Sequence, residues 1–264
     1  MNLEFNLVKF PLFFPILYGA VLFLFPKFES ILIFLTILFL AETHFGATWP
    51  FFLNKVNNSF IRENKVGLVS FPIIIVVFSL IGYVYFKPTF ILIFFAANMF
   101  HVTRQSFGVC KLYTKKQSEI KFQEIFIYIL NFSFFFVGFF RFYLPLISSE
   151  NIFLLNLITL ILLFIILLFY LYKFSLSDGF YTFCTGLIIF YPICFVENPV
   201  HAIIMGVTMH YTQYLYLTHK VFKGRENNDE KKSNKFNYFI IIIFYAVVMS
   251  ILSLFGKSSN EILN

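Results

Sequence analysis

Three histidines have the residue type and the spacing needed to bind one metal ion inside a membrane. His44, His101 and His210 each lie nine or ten residues before the end of a long apolar run. A helix rises about 1.5 Å per residue, so each imidazole would lie about 14 Å from the end of its run, near the middle of a hydrocarbon core about 30 Å thick. Imidazole nitrogens are common ligands of divalent metals, so the pattern predicts that the three histidines meet at a metal. The alternative is that each histidine hydrogen-bonds to a neighbouring helix.

Two glutamines share helix faces with two of these histidines. Gln105 follows His101 by four residues and Gln213 follows His210 by three, and residues at these spacings are neighbours on a helix surface. Side chains in such positions can orient metal-bound imidazoles or contact a substrate. We therefore predict that Gln105 and Gln213 support the metal site.

An acid and an arginine complete the polar residues at this depth. Glu42 is the only acid deep in any apolar run and is predicted to be a fourth ligand or a base. Arg104 is predicted to orient the metal ligands or to contact the substrate. Glu42 lies two positions before His44, about 200° around an ideal helix, so both reach one centre only if the helix is distorted, which Gly46 could allow. Alternatively, Glu42 pairs with Arg104, or Arg104 extends its charge to the cytoplasmic interface.

His201 is a further candidate ligand at a different depth. It lies nine residues before His210, about 14 Å along a helix, so an ordinary helix cannot bring both to one metal. His201 could instead form an outer metal site with Glu197 or line an access path. His219, next to Lys220, is predicted to be a surface residue.

The composition excludes a soluble globular domain. Of 264 residues, 59% are hydrophobic, 43 are Phe and 12% are charged, whereas soluble domains contain about one quarter charged residues. The net charge of +7 forms no continuous basic face, so no nucleic-acid partner is predicted. We predict an all-α, polytopic transmembrane helical bundle, residues 1–264, that forms a single integral domain in the lipid bilayer.

Apolar stretches of about 20 residues recur along the chain and predict about nine membrane spans. Their approximate bounds are 7–25, 31–53, 66–86, 89–110, 124–145, 152–172, 179–196, 199–219 and 236–255. Basic residues concentrate in the loops after even-numbered spans, and the opposite loops hold only Lys27, Lys87 and Lys257. Because basic loops stay in the cytoplasm, we predict a cytoplasmic N-terminus and a mobile basic cytoplasmic loop at 220–235. The predicted location is the inner membrane of a bacterium.

The ligand types indicate the chemistry of the predicted site. Imidazoles with a carboxylate and no thiolate fit non-haem Fe2+, and another divalent metal is also allowed. Cys110, Cys184 and Cys194 lack the spacing of a metal site and are assigned no role. A site in the middle of the bilayer favours a lipophilic substrate such as a lipid or a carotenoid. The predicted function is a metal-dependent membrane oxygenase or hydroxylase, with an electron-donor protein or a second copy of the chain as candidate partners.

Two other functions fit the same residues. In a transporter or proton-coupled channel, Glu42, Arg104 and the histidines would form a polar relay through the bundle. A structural subunit of a larger membrane complex would need no such site. Stoichiometric metal in the purified protein would distinguish the enzyme from both.

The residues around the first histidine resemble a known family. They read Glu42-Thr43-His44-Phe45-Gly46-Ala47-Thr48-Trp49. This segment resembles the transmembrane His-Phe-Gly segment of bacterial membrane β-carotene dioxygenases of the Brp/Blh type, multi-spanning proteins that use a His-ligated iron to cleave a carotenoid to retinal. The resemblance implies that His44 is an iron ligand, with His101 and a histidine of the eighth span as plausible partners.

Overall fold

The protein is helical throughout the part of the chain that the structure describes. A computed structural model describes residues 3–53, 57–144, 148–228 and 237–262. Every regular element within these ranges is a helix and none is a strand, which confirms the all-α prediction for these residues.

The helices follow one another with short connections. The α-helices in chain order are α1 (Phe13–Leu24), α2 (Glu29–Thr36), α3 (Glu42–Gly46), α4 (Trp49–Leu53), α5 (Asn58–Glu63), α6 (Phe71–Tyr85), α7 (Lys87–Tyr113), α8 (Gln117–Phe142), α9 (Ser149–Lys173), α10 (Asp178–Ile188), α11 (Pro199–Asn228) and α12 (Tyr238–Ile262). Wider π-helical turns occur at Phe5–Lys9, Ile37–Ala41 and Val66–Ser70, and tighter 3-10 turns at Pro26–Phe28 and Tyr191–Cys194.

The chain divides into two compact units. The first consists of Met1–Thr36 and Asn98–Tyr214, and the second of Ile37–Ala97 and Leu215–Asn264. Helices α7 and α11 are continuous elements that contribute residues to both units. The interpretation of residues 1–264 as one integral membrane domain stays a prediction.

Within the part of the chain that the structure describes, four helical segments are long and apolar enough to cross a membrane, judged by length and composition. They are Pro26–Leu53, Val66–Tyr85, Gln117–Phe142 and Glu150–Lys173. Helix α6, within the second of them, has no buried residue. Its apolar side chains can avoid water only in lipid or against another apolar surface. The protein therefore has helices compatible with an integral membrane protein, whereas the nine spans and the cytoplasmic N-terminus stay predictions.

Aromatic residues form the centre of the first unit. Tyr170 on α9 and Phe183 on α10 are stacked with ring centroids 4.9 Å apart, and neither has measurable exposure. Phe122 on α8 packs edge-on against both rings. The Tyr170 hydroxyl donates a hydrogen bond to the buried carboxylate of Glu119. Because a buried phenol needs a partner, this bond fixes α9 against the start of α8.

A second buried hydrogen-bond group joins α8 and α10 to the residue that directly follows α7. The Gln123 amide donates to the carbonyl of Gly179 at 3.1 Å, and its oxygen accepts from the Thr114 hydroxyl at 3.1 Å. Gly179 has no room for a side chain, because an added Cβ would overlap the Thr114 hydroxyl. Both ends of this fully buried glutamine are therefore satisfied.

The predicted span 179–196 is not one continuous helix. Helix α10 ends at Ile188, and Pro192, which has no backbone N–H to donate, lies in the 3-10 turn that follows. Side chains donate to two carbonyls of this turn: Arg141 donates to Ile193 at 2.7 Å and Asn156 donates to Cys194 at 2.7 Å. An apolar composition could not show where the helix would end.

The second unit is built around α3 and α12. An added Cβ at Gly46 would lie 2.8 Å from Cδ1 of Tyr245, so glycine lets the two helices pack closely. Helix α11 continues to Asn228, so the first part of the predicted loop at 220–235 is helical, whereas its mobility and its cytoplasmic location stay predictions. Residues 229–235 lie outside the described residues.

Candidate metal centre

Two of the three predicted ligands lie side by side in the first unit. The rings of His101 on α7 and His210 on α11 have centroids 5.9 Å apart and planes at 88° to each other. An ion bound to an imidazole nitrogen at about 2.1 Å lies about 3 Å from the ring centre, so two rings with centres up to about 6 Å apart can share one ion. The pair therefore has the spacing of two ligands of one metal.

The two histidines differ in their surroundings. His210 is 2% exposed, and the rings of Tyr211 and Tyr214 flank it with centroids 5.9 and 6.3 Å away. His101 is exposed, and the neighbouring Phe100 is 48% exposed. The pair is thus buried on the α11 side and exposed on the α7 side.

The predicted supporting glutamines are both present in the first unit with buried amide oxygens. The Gln213 amide donates to the carbonyl of Val8 at 2.6 Å, and the side chain is 1% exposed. Among the described residues, the Oε1 atoms of Gln105 and Gln213 are buried and accept no hydrogen bond. Two strong acceptors on the same helices as the histidine pair are therefore available to a donor.

Arg104 is oriented differently from these glutamines. Its side chain is exposed, and its guanidinium interacts electrostatically with the phenol of Tyr128 on α8. This arrangement supports the alternative that Arg104 carries its charge outward. Its predicted contact with substrate, and its alternative pairing with Glu42, stay predictions.

Helix α3 of the second unit carries Glu42 and His44. His44 is 4% exposed and lies edge-on to Phe45, with ring centroids 5.1 Å apart. The Glu42 carboxylate interacts electrostatically with Tyr245. The distortion expected at Gly46 is instead upstream, because a π-helical turn, Ile37–Ala41, directly precedes Glu42. Such turns shift the faces of a helix and are frequent at functional sites.

His201 takes part in a buried chain of hydrogen bonds. The Tyr18 hydroxyl lies 2.6 Å from its Nδ1, and its Nε2 lies 2.7 Å from Oε1 of Glu29. Tyr18 and His201 are 3% and 1% exposed. The arrangement fits a neutral imidazole that accepts from the phenol and donates to the carboxylate. Since both nitrogens are occupied, a metal at His201 would have to displace one of these partners.

The partners of His201 were not found from the sequence. Tyr18 and Glu29 lie 183 and 172 residues away along the chain, in elements that the apolar pattern does not relate to α11. The only available signal was that Glu29 is an acid at the edge of an apolar run.

Replacing His201 by Gln is expected to preserve both hydrogen bonds, because an amide can accept from Tyr18 and donate to Glu29. Replacing it by Leu would leave the buried Tyr18 hydroxyl unpaired and lower the free energy of unfolding by about 1–3 kcal/mol. Unfolding of the detergent-solubilised protein, followed by circular dichroism, measures the difference. Loss of bound metal in the His201→Gln protein would show that His201 is a ligand after all.

Comparison with known proteins adds no identification to this geometry. No protein-family model, no curated protein and no solved structure matches the chain.

Proposed function

We propose that this protein is a metal-dependent membrane oxygenase or hydroxylase in which His44, His101 and His210 bind one metal ion. The observation that carries the proposal is the His101–His210 pair, whose ring centroids are 5.9 Å apart. Each of the three histidines offers an imidazole nitrogen to a divalent ion, and their matching position before the end of an apolar run is the reason for proposing one shared metal. Three imidazoles leave coordination positions open, as a catalytic site requires and a structural site does not.

Non-haem Fe2+ is the proposed metal. Imidazole nitrogens with a nearby carboxylate and no thiolate suit iron, although other divalent ions accept the same ligands. When bound, iron would supply the activation of oxygen that the side chains cannot provide. Glu42 is proposed as a fourth ligand or a base, and the protein chain would hold the ion and exclude water from it.

The proposed substrate is lipophilic. His101 is exposed and directly follows exposed Phe100 on α7, so a molecule dissolved in the bilayer could reach the ring. A lipid or a carotenoid has this property. Carotenoid cleavage is the reaction implied by the resemblance of the segment around His44 to Brp/Blh-type dioxygenases.

The proposed setting is the inner membrane of a bacterium. About nine spans with a cytoplasmic N-terminus would place the three histidines near the middle of the bilayer. The reaction would draw electrons from a partner protein if it is a hydroxylation, and a second copy of the chain is another candidate partner.

Metal analysis of the full chain tests the proposal. Protein purified in detergent without added metal is expected to contain about one iron per chain, and a sample unfolded and dialysed against a chelator serves as the blank. Protein without stoichiometric metal that nevertheless carries a solute or proton flux in liposomes would overturn the enzyme and favour the transporter.

A further inference from the structure

The amide of Gln213 has a fixed orientation and an unused acceptor. Its nitrogen donates to the carbonyl of Val8 at 2.6 Å, and only an N–H can serve that carbonyl, so the opposite atom must be the oxygen. This oxygen is buried and has no hydrogen-bond partner among the described residues. A buried amide oxygen without a donor costs about 1–3 kcal/mol, so a native structure rarely keeps one without a reason.

The position of this oxygen relates it to the histidine pair. Gln213 lies one turn beyond His210 on α11, and Gln105 lies one turn beyond His101 on α7. The Oε1 atom of Gln105 is also buried and without a partner within the described residues.

Both helices run in the same direction from the pair. Beyond His101, α7 reaches Tyr113, whose hydroxyl donates to Glu4, and beyond His210, α11 reaches the Gln213 bond to Val8. Glu4 directly precedes the N-terminal turn Phe5–Lys9, and Val8 lies within it. The two glutamines therefore lie on the same side of the histidine pair, Gln105 about 6 Å along α7 and Gln213 about 4.5 Å along α11.

We propose that Gln105 and Gln213 form a subsite that accepts a hydrogen bond from an O–H group of the substrate, which makes the substrate a lipophilic alcohol rather than a plain hydrocarbon. This proposal rests on the proposed function of the histidine pair. Two neutral acceptors suit a hydroxyl donor, whereas an ionised carboxylate has no proton to donate to them. An ordered water has the same O–H chemistry, and the experiment separates these two sources.

Binding of matched probes tests the subsite. The full chain in lipid nanodiscs is equilibrated with radiolabelled 1-hexadecanol or hexadecane, and nanodiscs without protein provide the background. Wild-type protein is expected to retain the alcohol about tenfold better than the hydrocarbon, as one buried hydrogen bond allows. In the Gln213→Leu protein this preference should fall to about twofold or less.

Two further variants keep the test decisive. Gln105→Leu leaves the Gln213–Val8 bond intact, so it should weaken the preference even if Gln213→Leu folds poorly. Gln123→Leu removes a buried glutamine whose two ends are already satisfied, so it should leave the preference unchanged. Equal retention of both probes by the wild-type protein would assign the two oxygens to water and overturn the proposal. An unchanged preference in both the Gln105→Leu and the Gln213→Leu protein would also overturn it.

Metal content measured in the same samples separates this inference from the proposed function. Bound metal without any preference for the alcohol rejects only the subsite. A preference for the alcohol without bound metal rejects the enzyme and leaves a site that binds lipophilic alcohols.

Discussion

Replacing His101 or His210 by alanine is expected to weaken metal binding by at least about 100-fold, leaving the purified protein nearly free of metal. Each change removes one of three proposed imidazole ligands, and even the loss of a group that merely orients a ligand costs 10–100-fold in affinity. The measurement is the number of metal ions bound per chain after dialysis against a weak chelator. The two variants should behave alike, because the two rings lie side by side with centroids 5.9 Å apart and each is proposed to give one ligand.

A matched histidine provides the control. His219 packs against Tyr238 and Phe239, with ring centroids 5.3 and 5.0 Å away, and it is not a proposed ligand. His219→Ala should therefore retain the metal of the wild type. If His101→Ala and His210→Ala retained it as well, the pair would be a packing contact and the enzyme proposal would fail.

Replacing Gly206 by Ala is expected to lower the free energy of unfolding by about 3 kcal/mol or more. An added Cβ would overlap the carbonyl oxygen of Ile189 and lie 2.9 Å from its carbonyl carbon. This obstacle is backbone at the break after α10, so it cannot move aside as a flexible side chain could. The usual preference of a helix for alanine, about 1 kcal/mol, would not offset the overlap.

This substitution also tests how α11 positions the candidate site. Gly206 lies one turn before His210, so pushing α11 away from Ile189 should displace the histidine and reduce metal content as well as stability. Gly108→Ala, at a helical glycine with open space around it, should be neutral or slightly stabilising. Equal free energies of unfolding for the two variants in detergent would contradict the close packing described for Gly206.

The sequence predicted the helices better than their ends. Long apolar runs identify the helices because a single segment inside lipid can satisfy all of its own backbone groups only as a helix. The end of α10 at Ile188 depends on Arg141 and Asn156, whose side chains reach the carbonyls of a turn 52 and 38 residues away. The continuation of α11 to Asn228 through a charged segment was also missed, because its polarity resembles that of a loop.

The polar residues that predicted the candidate site also lower the hydropathy of the helices that carry them. The polar residues of α7 and α11 stand out because unpaired polar groups are rare in apolar runs. The same polarity leaves α7 and α11 out of the four helices that are apolar enough to be recognised as spans. The pairing of His101 with His210 followed from helical rise, whereas the hydrogen bonds of His201 could not be predicted because nothing in its own segment indicates Tyr18.

X-ray absorption at the edge of whatever metal the purified protein contains shows directly whether imidazole rings bind it. We expect a shell of nitrogen or oxygen atoms at about 2.0–2.2 Å and the outer-shell scattering of about three imidazole rings, decreasing by one ring in His210→Gln protein. A spectrum without imidazole scattering, or one unchanged by His210→Gln, would contradict this expectation.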